Sequence, residues 1–225
     1  MSWFQDALDN RVITEQLPEA TLETIYMSGL SSLLTVLLGL PLGLALVATS
    51  PGGLRPSRVV NAALAVVVNV GRSFPFIILM IAILPLTRLL TGTTFGWQSA
   101  VVPLTLGAIP FFARLVETAV RDVNAGKVEA AQMVGASRLA IVGGVLVREA
   151  LPAIVGGITV TVITLIGYSA MAGALGAGGL GALAINHGYN RFQTDVMVVT
   201  VVVIIVLVQL VQMLGDRVAR LVDHR

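Results

Sequence analysis

The residues able to carry chemistry in this chain are few, and their spacing narrows what they do. Gly176 to Gly181 reads GAGGLG and matches the G-x-G-x-x-G letters of a dinucleotide loop. That loop works only between the strand and helix of a βαβ unit, whereas a long apolar run leads into it here. The glycines are expected instead to permit close helix approach or an irregular backbone at the outer end of an apolar helix. A phosphate loop of the form G-x-x-x-x-G-K-[ST] is absent, because the sole lysine, Lys127, precedes Val128 and Arg121 stands at the upstream glycine position. By that route the chain is not its own ATPase. His187 and His224 lie far apart without carboxylates at ligand spacing, so no metal site is expected and no catalytic residue is assigned.

A second set has helical spacing. Gly157, Thr161, Thr164, Tyr168 and Met171 are separated by four, three, four and three positions and share one helix face. Such a face either lines a pathway for a small solute, or its hydroxyls bond the carbonyls four residues back while the glycine lets helices pack. Both readings stand at this point. Arg114 and Glu117, at i and i+3, read as a helix-face ion pair or as a gating contact; Arg72 is a functional intramembrane candidate or a snorkelling side chain.

The elements that must position these residues are apolar. Of 225 residues 56% are hydrophobic and 12% charged, with a mean hydropathy of +0.92, which marks an integral membrane protein. A crossing needs roughly 20 apolar residues, so about five helical spans fit, and unbroken apolar runs exclude the alternating pattern of a β-barrel. There is no cysteine, hence no disulfide or thiolate chemistry. The small excess of arginine forms no basic tract, and nucleic-acid binding is not expected. The start, MSWFQDALDNRVITEQLPEATLE, lacks a basic n-region and reads as a retained tail.

The expected fold is an all-α membrane protein of one permease domain, residues 1–225. Its spans are placed at about 25–49, 59–90, 97–116, 150–172 and 196–214, the second bent at Arg72 to Pro75, with Phe74 to Leu90 making most of that crossing. Trp97 suits an interfacial anchor. One set of connecting segments holds Arg55, Arg58, Arg121, Lys127, Arg138, Arg148, Arg217, Arg220 and Arg225; the other holds only Arg11, Arg88 and Arg191. By the positive-inside rule the N-terminus is outside and the C-terminus cytoplasmic, with a cytoplasmic loop at 121–149 between spans three and four.

Within that loop VEAAQMV favours a short helix, with Glu129 near its N-terminus, Ala130 and Ala131 as strong helix formers, and Gly135 free to take the left-handed conformation that stops it. Ser137 is placed to cap a second helix through RLAIVGGVLV before Pro152 resets the chain. Two helices meeting at a glycine make a compact knob with small side chains.

Glu129, Ala130, Ala131 and Gly135 resemble the EAA---G signature of the permease subunits of ABC importers. The blocks NVGRSFPFIIL, TGTTFGWQSAVVPLTLGAIPFFARLVE and TLIGYSAMAGALGAGGLG are similar to the methionine branch of that family, and the resemblance runs from about Leu22 to Arg225. One departure is Arg148, which stands where the family pattern ends in proline, so a straighter helix is expected there. The resemblance implies a non-enzymatic translocation subunit for methionine, in D- and L-forms, in a bacterial inner membrane. It also implies a second copy of the chain, two partner ATPase subunits that bind ATP and Mg, an external binding protein and surrounding lipid, with no cofactor in the chain itself. Glu129, Ala130, Ala131, Gly135, Ala136 and Ser137 are then the ATPase-coupling candidates, and Thr161, Thr164, Tyr168 and Met171 the pathway or gate candidates. The alternative class is a secondary transporter or channel working without an ATPase, disfavoured by scarce intramembrane acids.

Overall fold

The computed structural model describes residues 10–223; His224 and Arg225 of the sequence reading lie outside them. Every regular element among the described residues is helical. Lipid offers the backbone no hydrogen-bond partner, so runs this apolar close their polar groups within the helix. The first helix, α1, spans Leu17–Thr49 and is preceded by a π-helical turn, Val12–Gln16. Then come α2 (Arg58–Ser73), α3 (Phe76–Ala82), α4 (Leu84–Thr91), α5 (Trp97–Arg121), α6 (Ala125–Met133) and α7 (Arg138–Ile141). A π-helical turn, Val142–Val147, leads into α8 (Arg148–Ala172), and another, Gly173–Ala177, ends it. Short α9 (Gly179–Leu183), a third π segment (Ala184–Tyr189) and α10 (Thr194–Val222) complete the chain.

Among the described residues four helical runs are long and apolar enough to cross a membrane: Val12–Thr49, Trp97–Arg121, Arg138–Ala177, which kinks at Leu175 and Gly176, and Thr194–Val222; α2 and α3 add a fifth if their bent pair is one span. The helix that holds the first expected span begins well before residue 25, because Asn10 Oδ1 accepts the Val12 N–H at 3.0 Å, Asn10 Nδ2 donates to Asp195 at 2.7 Å, and Val12, Ile13 and Leu17 pack on Ala20, Leu180 and Val196. The second region breaks between Arg72 and Pro75, as the sequence reading has it: α2 ends at Ser73, and Pro75, at ψ 128°, precedes a new helix. A further break at Ile83, before Pro85 in the first turn of α4, goes beyond the sequence expectation.

The chain divides into two compact units: Met1–Leu34, Phe74–Gly107 and Val162–Gln212 form one, and Thr35–Ser73, Ala108–Thr161 and Met213–Arg225 the other. In the first, α8 turns back on itself through α9 so tightly that a Cβ on Gly181 would stand 2.4 Å from the Ala170 backbone. Nearby, the rings of Tyr26 and Trp97 lie 5.5 Å apart. The second unit is built on Phe112, Val116, Val120, Leu146, Ala150 and Ile154. There α1 approaches α5 at Gly43, whose added Cβ would lie 2.6 Å from the Ala113 carbonyl oxygen, the small-residue contact by which apolar helices gain close packing.

The helix α10 has the highest mean hydropathy of the spans, 2.8, yet only 11% of its most apolar window is buried. In water that combination would aggregate; it suits a face turned to hydrocarbon. Gly181→Ala is expected to lower the thermal midpoint in detergent, at the scale of an overpacked core, about 1–3 kcal/mol. Gly29→Ala, whose Cβ meets nothing within 4 Å, is expected to leave that midpoint unchanged or raise it.

Candidate functional site

The insert between α5 and α8 folds as a corner. Asn124 caps α6 by accepting the Gly126 N–H at 2.8 Å, so the helix opens a turn earlier than expected and Glu129 lies in its second turn, away from the N-terminus. The helix stops at Gly135, φ +77°. The Gly135 N–H donates to the Gln132 carbonyl and the Ala136 N–H to the Ala131 carbonyl, both at 3.0 Å, which closes a Schellman turn on the EAA segment. Ser137 then caps α7, its Oγ accepting the Ala140 N–H at 3.3 Å.

No residue of α6 is buried. Glu129, Ala130, Gly135 and Ser137 are exposed, and Ala131 and Ala136 half-buried. Around them Met133, Val134 and Leu139 are 83%, 83% and 85% exposed, an apolar rim on an otherwise polar element. Val128 packs on the Phe112 cluster, Ile141 at the end of α7 is buried, and Lys127 Nζ lies 2.5 Å from Glu149 Oε2.

Beyond the corner the helix does not restart at Pro152, as the sequence suggested. The helical run passes through this point, with Pro152 inside α8 and Arg148 in regular helical conformation at φ −64°, ψ −43°. An interior proline removes one internal bond, and here it follows a π-helical turn, Val142–Val147, where the hydrogen-bond ladder is already shifted in register.

The pathway candidates divide. Thr161 is buried, and its hydroxyl donates to the Gly157 carbonyl at 2.7 Å; Gly157 itself faces Leu115 and Phe112. At that end the face is packed and its hydroxyl satisfied within the helix. Thr164 is half-buried. Tyr168 stacks on Phe76, centroids 4.4 Å apart and planes 5° from parallel, and Met171 is 39% exposed. Sequence reasoning missed Phe76, although FPF announced it: Pro75 ends one helix and Phe76 is the first residue of the next.

It also missed what holds the GAGGLG loop. Gly178 and Gly179 have φ +78° and +74°, leaving the first N–H groups of α9 without helical partners. Glu23 Oε2 accepts the Gly179 N–H at 2.6 Å and Thr24 Oγ1 accepts the Leu180 N–H at 2.9 Å, so α1 caps α9 across 156 positions. Glu23, the last acid of α1, is therefore a structural acceptor. His187 belongs to the same unit, with Nδ1 3.2 Å from Gln193 Oε1.

In the other unit Glu117, with a side chain 5% exposed, joins Arg114 at 2.5 Å and Arg121 at 2.8 Å, while Arg114 donates to Asn69 Oδ1 at 2.6 Å. The i,i+3 pair read from the sequence is one side of a three-charge clasp that fastens α2 to the end of α5.

Residues 36–225 match the family described as the inner membrane component of binding-protein-dependent transport systems. A probable D-methionine transport system permease protein, MetI, of Vibrio cholerae is 50% identical over 206 residues, 92% of each chain. The methionine import system permease protein MetP of Bacillus subtilis is 45% identical over 222 residues, 99% of this chain and 100% of MetP. The chain belongs to the binding-protein-dependent transport family. Among solved structures, the MetNI methionine ABC transporter in inward-facing form matches at a TM-score of 0.90, with 42% identity over 96% of this chain and 100% of that one. An amino acid ABC transporter at 16% identity, TM-score 0.76, shares the fold. As a member of this family the chain is a multi-pass inner membrane protein and a transport subunit, not itself an enzyme.

The caps that shape the corner of this transport component are testable directly. Asn124→Ala and Ser137→Ala are each expected to weaken it by about 1 kcal/mol. Faster amide exchange confined to residues 125–141, with the spans unchanged, is the expected readout.

Proposed function

We propose that this chain is the translocation subunit of a methionine importer, with two copies lining the pathway, two ATPase subunits below and an external binding protein above. The relatives that carry methionine in their names align over nearly the whole chain, which favours that substrate in its L- and D-forms. The observation that carries the mechanism is the corner at Gly135. It is a rigid, doubly capped element with alanines that admit close approach and a rim of three apolar side chains more than four-fifths exposed, on a cytoplasmic segment by the arginine distribution. A surface of that kind is stable only when a partner covers it.

The N-terminus lies outside and the C-terminus in the cytoplasm, with the bent α2–α3 pair making the fifth crossing. Glu129, Ala130, Ala131, Gly135, Ala136 and Ser137 form the ATPase contact. ATP and Mg are bound and ATP is hydrolysed by the partner; the chain's part is to dock, to move and to open. Closure of the ATPase dimer draws the two corners together and tips the spans from inward to outward opening. Tyr168, stacked on Phe76, and Met171 form the gate on the pathway, with Thr164 on the same helix face.

Gly135→Val places a β-branched side chain at φ +77° and is expected to abolish both ATP-dependent uptake and stimulation of ATPase activity, while the chain still inserts. Ala131→Trp is expected to do the same by bulk. The measurement is uptake of labelled L- and D-methionine by proteoliposomes holding the complex that co-purifies with the tagged chain, with other amino acids as competitors. Normal uptake by either variant, or transport by a preparation without a stoichiometric ATPase, would overturn the assignment.

A further inference from the structure

Between the docking corner and the span behind it lie two glycines that packing does not explain, on the outer side of a turn whose Val142, Leu146 and Val147 rest on the Phe112 cluster. Val142–Val147 is a π-helical turn, and Gly143 and Gly144 stand near its start. Both are exposed, neither has positive φ, and a Cβ built on either meets nothing within 4 Å. Neither crowding nor backbone conformation asks for glycine here, yet each glycine weakens a helix relative to alanine. What the pair retains is freedom to bend, at a π-helical turn, a feature found frequently at functional sites.

A free joint at that place would dissipate motion of the corner before it reached α8. One ion pair spans the joint. Lys127, on α6, lies 2.5 Å from Glu149, in the first turn of α8, and the two are 22 positions apart, on opposite sides of the glycines. Glu149 is only 29% exposed, so the pair is partly shielded from screening water. Together with Val128, which packs on the core cluster from α6, this bridge closes the corner into a loop fastened at both ends.

Resting on the importer assignment, we infer that Gly143 and Gly144 form a hinge and that Lys127 and Glu149 are positioning residues, a strut that carries the load of the docked corner past the hinge into span four. The hinge lets the corner reorient on its partner; the strut limits that motion and passes the remainder on.

The test uses the co-purified complex in proteoliposomes, measuring ATP hydrolysis and methionine uptake together. Lys127→Glu alone is expected to keep the ATPase bound and active while methionine moved per ATP falls about threefold to fivefold, the scale of a partly shielded ion pair. Adding Glu149→Lys is expected to restore the ratio. Gly143→Ala with Gly144→Ala is expected to hold or raise the thermal midpoint and still lower the same ratio. An unchanged ratio in Lys127→Glu, or no rescue by the second reversal, overturns the strut, and loss of ATPase binding by Lys127→Glu makes it a docking contact instead. A lower midpoint in the alanine pair, or an unchanged ratio, overturns the hinge. Failure of the unmutated complex to contain an ATPase is a different result and removes the importer assignment itself.

Discussion

A backbone in hydrocarbon has no water to bond, and most of this structure follows from how the chain meets that constraint where its helices stop. Along the spans the helix satisfies itself. At each interruption another group must serve. The two N–H groups opened by Gly178 and Gly179 are taken by Glu23 and Thr24 of another helix, and the Gly96 N–H finds the Gly176 carbonyl at 2.9 Å. Asn61 reaches back to the Leu46 carbonyl at 2.8 Å where α1 runs out. Interruptions are therefore the points at which separate helices become attached, and polar residues cluster there for that reason.

The corner at Gly135 meets the constraint differently because water is available to it. Its caps are local: Asn124, the Schellman turn and Ser137 all bond within a few residues. A locally capped element keeps its shape without leaning on the spans, which leaves its outer face free for a partner. The same logic separates the charges. Glu117 is buried between two arginines and serves the fold, while Lys127 and Glu149 remain partly exposed and tie the corner in a way that can be loaded and released.

Local signals were legible in the sequence: the alanine-rich helix, the glycine stop, the serine cap, the irregular GAGGLG backbone and the long apolar runs each depend on neighbouring residues alone. The signals that failed depend on distant ones. Glu23 looked like a boundary because its partner lies 156 positions away, and Phe76 looked like one apolar residue among many until Tyr168 stacked on it. Helix starts failed for a related reason. Hydropathy marks where a helix must be dry, and α1 continues into its polar end because Asn10 finds Asp195 across the chain. Pro152 misled in the other direction, since a proline can sit inside a long apolar helical run at the loss of one internal bond.

The threonines show how one motif can hold two answers. At Thr161 the hydroxyl is spent on the Gly157 carbonyl and the surrounding face is packed; seven positions on, Tyr168 has no comparable burial and is held by a single aromatic partner. A stack of two rings is worth roughly 0.5–1.5 kcal/mol, small enough to be exchanged for other contacts in a moving protein. A fully packed threonine is not. The spacing of the face was uniform, but the capacity for motion along it is not, and it concentrates where Tyr168 and Met171 keep their exposure. Thr161, Tyr168 and Met171 are carried by the same helix, α8, so one element presents a packed face at one level and a yielding one two turns on.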